Sequence, residues 1–147
     1  MKKFYFSYGM NTNPGQMSMR CPQAVSLGKA VLPHYKFEFK THATILPAMD
    51  DRTEGVLWEI TLECELALDR LEGYPDYYTK IIVWVEHDMT MVPCMTYLMH
   101  PDELHNYPTD NYVDMLVEGY TAHDVDTTQI DRALIAVDYA VGLYPIG

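Results

Sequence analysis

Apolar residues recur along this chain with two different periods, and the change from one to the other divides it. Tyr35-Lys36-Phe37-Glu38-Phe39-Lys40 alternates strictly between apolar and charged, the pattern of a half-buried antiparallel strand. Lys3 to Tyr8 alternates with aromatics and stops at Gly9. Residues 24–32 read as a strand with a bulge at Gly28. Gly55 to Ile60, Tyr78 to Glu86 and Val92 to Met99 complete six predicted strands, with Asp88 to Met91 as a hairpin turn.

Helical spacing enters in short pieces and then dominates the end. Asn13 before Pro14 predicts a capped helix to Met19. Thr61 predicts a cap for a helix to about Leu71, stopped near Gly73. Val113, Leu116, Val117 and Tyr120 fall at i, i+3, i+4 and i+7, and Ile130, Ala133, Leu134, Val137 and Val141 repeat that rhythm behind Thr127 or Thr128. Strands first and helices later, without β-α-β alternation, predict one α+β domain over residues 1–147. Its sheet is mixed and mostly antiparallel, six strands curling into a small barrel with flanking helices.

Composition narrows the function. The 147 residues, 48% hydrophobic and 21% charged, suffice for one packed core. The net charge is -11 and unevenly spread. Residues 1–49 carry six basic groups and one acidic group, whereas residues 50–147 carry four and twenty. That balance disfavours nucleic acid and anionic membranes as partners. Cys21, Cys64 and Cys94 are odd in number and widely spaced, which excludes a Cys-x-x-Cys site and fits a reducing compartment. The aromatic run after Lys3 is too short for a secretory signal, so a cytoplasmic protein is expected.

Familiar chemical motifs are absent: there is no phosphate-binding glycine loop, no Gly-x-Ser-x-Gly elbow and no His-Glu-x-x-His. Asp124 to Thr128 starts like a calcium loop but lacks the glycine and the closing acid, so it reads as an acidic loop and helix cap. Two segments remain. Tyr8-Gly9-Met10-Asn11 ends the first strand; it is either a plain turn or a nest of N–H groups that binds an anion. In Leu68-Asp69-Arg70-Leu71-Glu72-Gly73, Glu72 falls at a helix C-terminus among aromatics. It is either a solvated loop glutamate or a carboxyl of raised pKa fit for general acid/base work. Asp69 lies in the helix body and reads as a salt-bridge partner.

Together these segments resemble the γ-glutamylcyclotransferase-like family, which includes the plant AIG2-like proteins. Tyr5-Phe6-Ser7-Tyr8-Gly9-Met10-Asn11 is similar to the family strand ending in Tyr-Gly-Ser-Asn, with Met10 where the family has serine. Further likenesses are Arg20-Cys21-Pro22-Gln23-Ala24, Gly55-Val56-Leu57-Trp58, Leu68-Asp69-Arg70-Leu71-Glu72-Gly73, Tyr78, Tyr97-Leu98-Met99 and Pro108-Thr109-Asp110-Asn111-Tyr112.

The resemblance implies a cavity at the end of the first strand. Backbone groups of Tyr8, Gly9, Met10 and Asn11 would hold the amino-acid end of a γ-glutamyl compound. Glu72 would be the general acid/base, and Tyr78 and Tyr112 would line the pocket. The implied reaction is attack of the substrate's α-amine on its own δ-carbonyl, releasing 5-oxoproline and an amine or amino acid. It needs no cofactor and no metal, and the expected assembly is a monomer or weak homodimer. A binding protein that keeps the cavity without turnover is the alternative, motivated by Met10. The split in charge adds an expectation that neutral or cationic leaving groups are preferred to acidic ones.

Overall fold

A computed structural model describes residues 2–142 of the chain. Five strands close a barrel in the order β1-β3-β2-β4-β5. In chain order they are β1 (Lys3–Ser7), β2 (Val25–Lys40), β3 (His42–Ile60), β4 (Tyr78–His87) and β5 (Thr90–Met99). Four helices flank them: α1 (Pro14–Arg20), α2 (Leu62–Leu71), α3 (Asp110–Ala122) and α4 (Thr128–Ala140). All neighbours are antiparallel except β1 and β5, which run parallel where Tyr5 meets Met95 and close the ring. The Thr96 hydroxyl donates to the Phe6 carbonyl at 2.8 Å across that seam.

The strand count corrects the sequence expectation of six. Residues 24–32 and 35–40 belong to one strand, β2, because the break at Pro33 is absorbed locally. His34 takes a left-handed φ of 67°, and the register with β3 shifts between Pro33 and Tyr35. The expected bulge at Gly28 is present, with φ 92° and a register shift beside it. β3 also begins at His42 instead of Gly55. Its charged middle, Met49-Asp50-Asp51-Arg52, hides the strand in the sequence because that arm faces solvent. The β4–β5 turn is shorter than predicted: Asp88 and Met89, both at positive φ, form it alone.

Phe6, Phe39, Ile45, Leu57 and Val85 are at most 1% exposed and form the centre of the core. Leu68, Leu116, Tyr120, Ile130 and Val137 bring the helices' apolar stripes against it. The predicted stripe of α3 is turned slightly: Val117 is exposed, and Leu116, Gly119 and Tyr120 are the buried positions. The predicted caps on α1 and α2 form. Asn13 Oδ1 accepts from the N–H groups of Gly15 and Gln16, and the Thr61 hydroxyl accepts from Cys64 N–H. At α4 the capping residue Thr127 makes no side-chain bond; Asp126 accepts from Thr128 N–H instead. Among the described residues no helix is long and apolar enough to cross a membrane.

Candidate active site

The end of α2 fixes Glu72. Helical hydrogen bonding continues through Glu72 N–H to the Leu68 carbonyl at 2.8 Å. The chain then turns sharply at Gly73, whose φ of 65° suits a residue without a side chain. Gly73 N–H donates to Arg70 and Tyr74 N–H to Asp69, the paired bonds of a glycine-terminated helix. These bonds hold the Glu72 backbone as the capping residue of α2, and its half-buried side chain lines the cavity.

The opposite wall comes from the end of β1. Past Ser7 the chain makes one 3-10 turn, Met10–Thr12, with Gly9 as its N-terminal residue. Thr12 N–H and its hydroxyl both donate to the Gly9 carbonyl. The N–H groups of Met10 and Asn11 head the turn, where no preceding turn carbonyl can accept them. The back of this turn rests on Gly119 of α3: a Cβ there would come within 2.5 Å of Thr12 Oγ1 and 2.7 Å of Asn13 N.

Between the two walls lies a cavity of about 320 Å³. Buried Asn11 crosses it: its Nδ2 donates to Glu72 Oε1 at 3.2 Å and to the Tyr5 hydroxyl at 3.0 Å. Its Oδ1 accepts from Arg20 Nη1 at 2.7 Å. Burial pushes the Glu72 carboxyl up to about 7, and the Arg20 charge and the Asn11 hydrogen bond hold it from rising further. At neutral pH the group is therefore divided between its two protonation states.

The tyrosines build the rest of the wall. β3 has no strand partner at Ala43 on the side away from β2, and two phenols satisfy that buried backbone. Tyr112 OH accepts from Ala43 N–H at 3.0 Å, and Tyr78 OH donates to the Ala43 carbonyl at 2.7 Å. Tyr8 donates to the Tyr97 carbonyl, while its own carbonyl accepts from Tyr120 OH at 2.5 Å. Burial holds the phenols of Tyr8, Tyr78 and Tyr112 well above the ordinary tyrosine value, so they stay neutral donors and acceptors. At the rim His42 Nδ1 lies 2.7 Å from the Tyr77 hydroxyl.

A sequence profile described as "Gamma-glutamyl cyclotransferase, AIG2-like" matches residues 5–115. The chain belongs to this family. Solved structures agree on the fold. One, titled "Gamma-glutamyl cyclotransferase", superposes with a TM-score of 0.82 at 23% identity, covering 91% of this chain and 87% of that one. An uncharacterised human protein superposes at 0.81 with 24% identity, over 90% of this chain and 86% of its own. A mouse AIG2-like protein superposes at 0.60 with 16% identity, over 74% and 88%. No match was found among curated protein sequences.

Every residue to which the resemblance gave a site role lines this one cavity: Tyr8, Gly9, Met10, Asn11, Glu72, Tyr78 and Tyr112. Asp69 does not. It accepts from Tyr97 OH at 2.6 Å and pairs with Lys80 at 3.0 Å, behind the wall. Sequence reasoning missed Arg20, Tyr5, His42, Tyr77 and Tyr97, which also line the cavity. Arg20 lies nine positions beyond Asn11, a spacing that suggests contact only once the 3-10 turn and α1 fold it back. One signal was available: Arg20 stands in a segment already similar to the family's.

Proposed function

We propose that this chain is a γ-glutamyl cyclotransferase in which Glu72 is the general acid/base. One observation carries the reading: a carboxyl with its pKa near 7 opens into the same cavity as the Gly9–Asn11 turn and is hydrogen-bonded to that turn. A group poised at neutral pH both accepts and returns a proton efficiently.

The substrate supplies its own nucleophile. Glu72 takes a proton from the α-ammonium, and the freed amine attacks the δ-carbonyl carbon to close a five-membered ring. The carbonyl oxygen becomes an oxyanion, which the N–H groups at the head of the Met10 turn stabilise. The bond from that carbon to the leaving nitrogen then breaks. Over the whole reaction the ring nitrogen sheds two protons and the departing amine gains two, so Glu72 acts as a shuttle and ends as it began. Folding a flexible chain into the attack geometry contributes up to about 7 kcal/mol, which is the task of a shaped cavity. Met10 leaves these backbone donors in place and removes only a side-chain hydroxyl from the family pattern.

The test is release of 5-oxoproline from γ-glutamyl amines, γ-glutamyl dipeptides and glutathione-like tripeptides, with Glu72→Gln in parallel. Turnover of one class by wild type and its loss in the variant supports the proposal. Equal inertness of both proteins across all classes, with binding retained, would replace the enzyme by a binding protein.

A further inference from the structure

Among the described residues that line the cavity, three are exposed and mark its mouth: His42, Leu71 and Tyr77. Leu71 is 48% exposed and Tyr77 43%. The rings are fixed in place. The His42 and Tyr77 rings meet at 5.8 Å and 81°, joined by the 2.7 Å contact between Nδ1 and the phenol. On its other side the imidazole meets half-buried Tyr112 at 5.5 Å and 61°. Three rings at steep angles thus lead from solvent toward the interior, with Leu71 as an aliphatic neighbour. Apolar surface left open around a cavity is surface for a ligand to cover.

With the γ-glutamyl half inside, against the Gly9–Asn11 turn and Glu72, the leaving amine is the part that reaches this mouth. Charge decides what it carries there. A carboxylate would need a cation, and the one Lys or Arg on the described lining, Arg20, is bound to Asn11 beside Glu72. An ammonium would have to shed water, and the mouth already resists positive charge on its own imidazole: burial holds His42 below the ordinary histidine value. Glu103 does send a negative field to Tyr77, but it is an exposed residue that solvent and salt screen. An uncharged flat group fits what is left, since aromatic rings pack well face to edge. We propose that His42, Leu71 and Tyr77 select the leaving group, and that they take an uncharged aryl ring joined to the leaving nitrogen by a short carbon chain. This rests on the cyclotransferase reading and deepens it, by naming the half of the substrate which that reading leaves open. The chemistry is unchanged: the amide C–N bond breaks and the arylalkyl amine departs with the protons already accounted for. Of the neutral and cationic leaving groups expected from the split in charge, the mouth keeps the neutral ones.

The experiment measures 5-oxoproline release from four compounds that differ only beyond the leaving nitrogen. They are the γ-glutamyl phenethylamide, methylamide and 2-aminoethylamide, and γ-glutamyl-phenylalanine, which is the phenethylamide with one carboxylate added. For wild type, kcat/KM for the phenethylamide should exceed that for the methylamide by roughly 10-fold or more, as for covering part of a phenyl ring. It should also exceed the values for the aminoethyl and phenylalanine compounds. Tyr77→Ala should bring the phenethyl-to-methyl ratio close to one, and Tyr77→Phe, which keeps the ring, should preserve it. A ratio taken within one protein cancels any general loss of activity. Equal turnover of all four compounds by wild type overturns the proposal and leaves the cyclotransferase reading standing. So does a preference for the ammonium or the carboxylate compound. A ratio that Tyr77→Ala leaves intact removes the mouth from selection and overturns the proposal as well. If wild type releases 5-oxoproline from none of the four, the cyclotransferase reading falls and takes the proposal with it.

Discussion

Arg20 and Glu72 meet through a single side chain, the Asn11 carboxamide, which accepts from the guanidinium at 2.7 Å and donates to the carboxylate at 3.2 Å. The arrangement works in one orientation only. Turned over, the amide would put its N–H groups against a cation and its oxygen against an anion. Arg20 therefore fixes which face of Asn11 the carboxylate sees, and a charge at the end of α1 reaches the end of α2 without touching it.

Glu72→Gln is expected to lower kcat by roughly 10²–10⁴-fold, the usual worth of a positioned general acid/base, with an unchanged circular dichroism spectrum. Steady-state lactam release checks it. A variant within a few-fold of wild type would remove Glu72 from the reaction.

The pH profile follows from the raised carboxyl. If the ionised form starts the reaction, kcat/KM should fall below a midpoint near pH 7. Arg20 holds that midpoint down, so Arg20→Met should move it to higher pH, measurable with γ-glutamyl amine substrates. Stability runs the other way. The folded value lies above the ordinary one, so the native state binds the extra proton, and stability declines as pH rises from the ordinary carboxylate range toward about 7. Glu72→Gln removes that decline. Its melting temperature should exceed that of wild type at pH 8, and the gap should narrow at pH 4.

Asn11→Leu is expected to cost about 1–3 kcal/mol in denaturant unfolding, because the buried Tyr5 hydroxyl loses its donor. Activity should fall as well, since Glu72 loses its hydrogen bond and the amide that faces Arg20.

Two glycine substitutions should separate stability from site geometry. Gly55→Ala places a Cβ 2.2 Å from the Ser7 carbonyl and 2.8 Å from the Phe6 ring, forcing β1 off β3. It should destabilise by about 3 kcal/mol or more through overpacking. Gly119→Ala pushes on Thr12 and Asn13, behind the 3-10 turn. Its excess effect should appear in kcat/KM, because the displaced turn carries Asn11.

Much of this architecture was legible because local signals agreed with one another. The Thr61 cap and the Gly73 stop defined α2 in the sequence, and the structure has it at Leu62–Leu71. The early half of β3 was not legible. Asp50, Asp51 and Arg52 carry no apolar alternation; Arg52 still pairs with Pro33 of β2, and the two aspartates fall in the break of register on an exposed arm. At the site, residues tied to a local turn or helix end could be found, including Glu72 and Asn11. His42 and Tyr77 could not, because each reaches the cavity through tertiary packing that leaves no period in the sequence, and Arg20 was marked only by its place in a family-like segment.

The parallel seam of β1 and β5 has a consequence for the order of synthesis. β1 leaves the ribosome first, but its partner around Met95 follows only after some ninety residues. Until then the strand that carries the Gly9–Asn11 turn is held from one side, by β3. Gly119, which props the turn from behind, emerges later still. A nascent chain thus displays Glu72 well before it owns a finished pocket to put it in, and chains cut short before α3 should be folded in part yet catalytically empty.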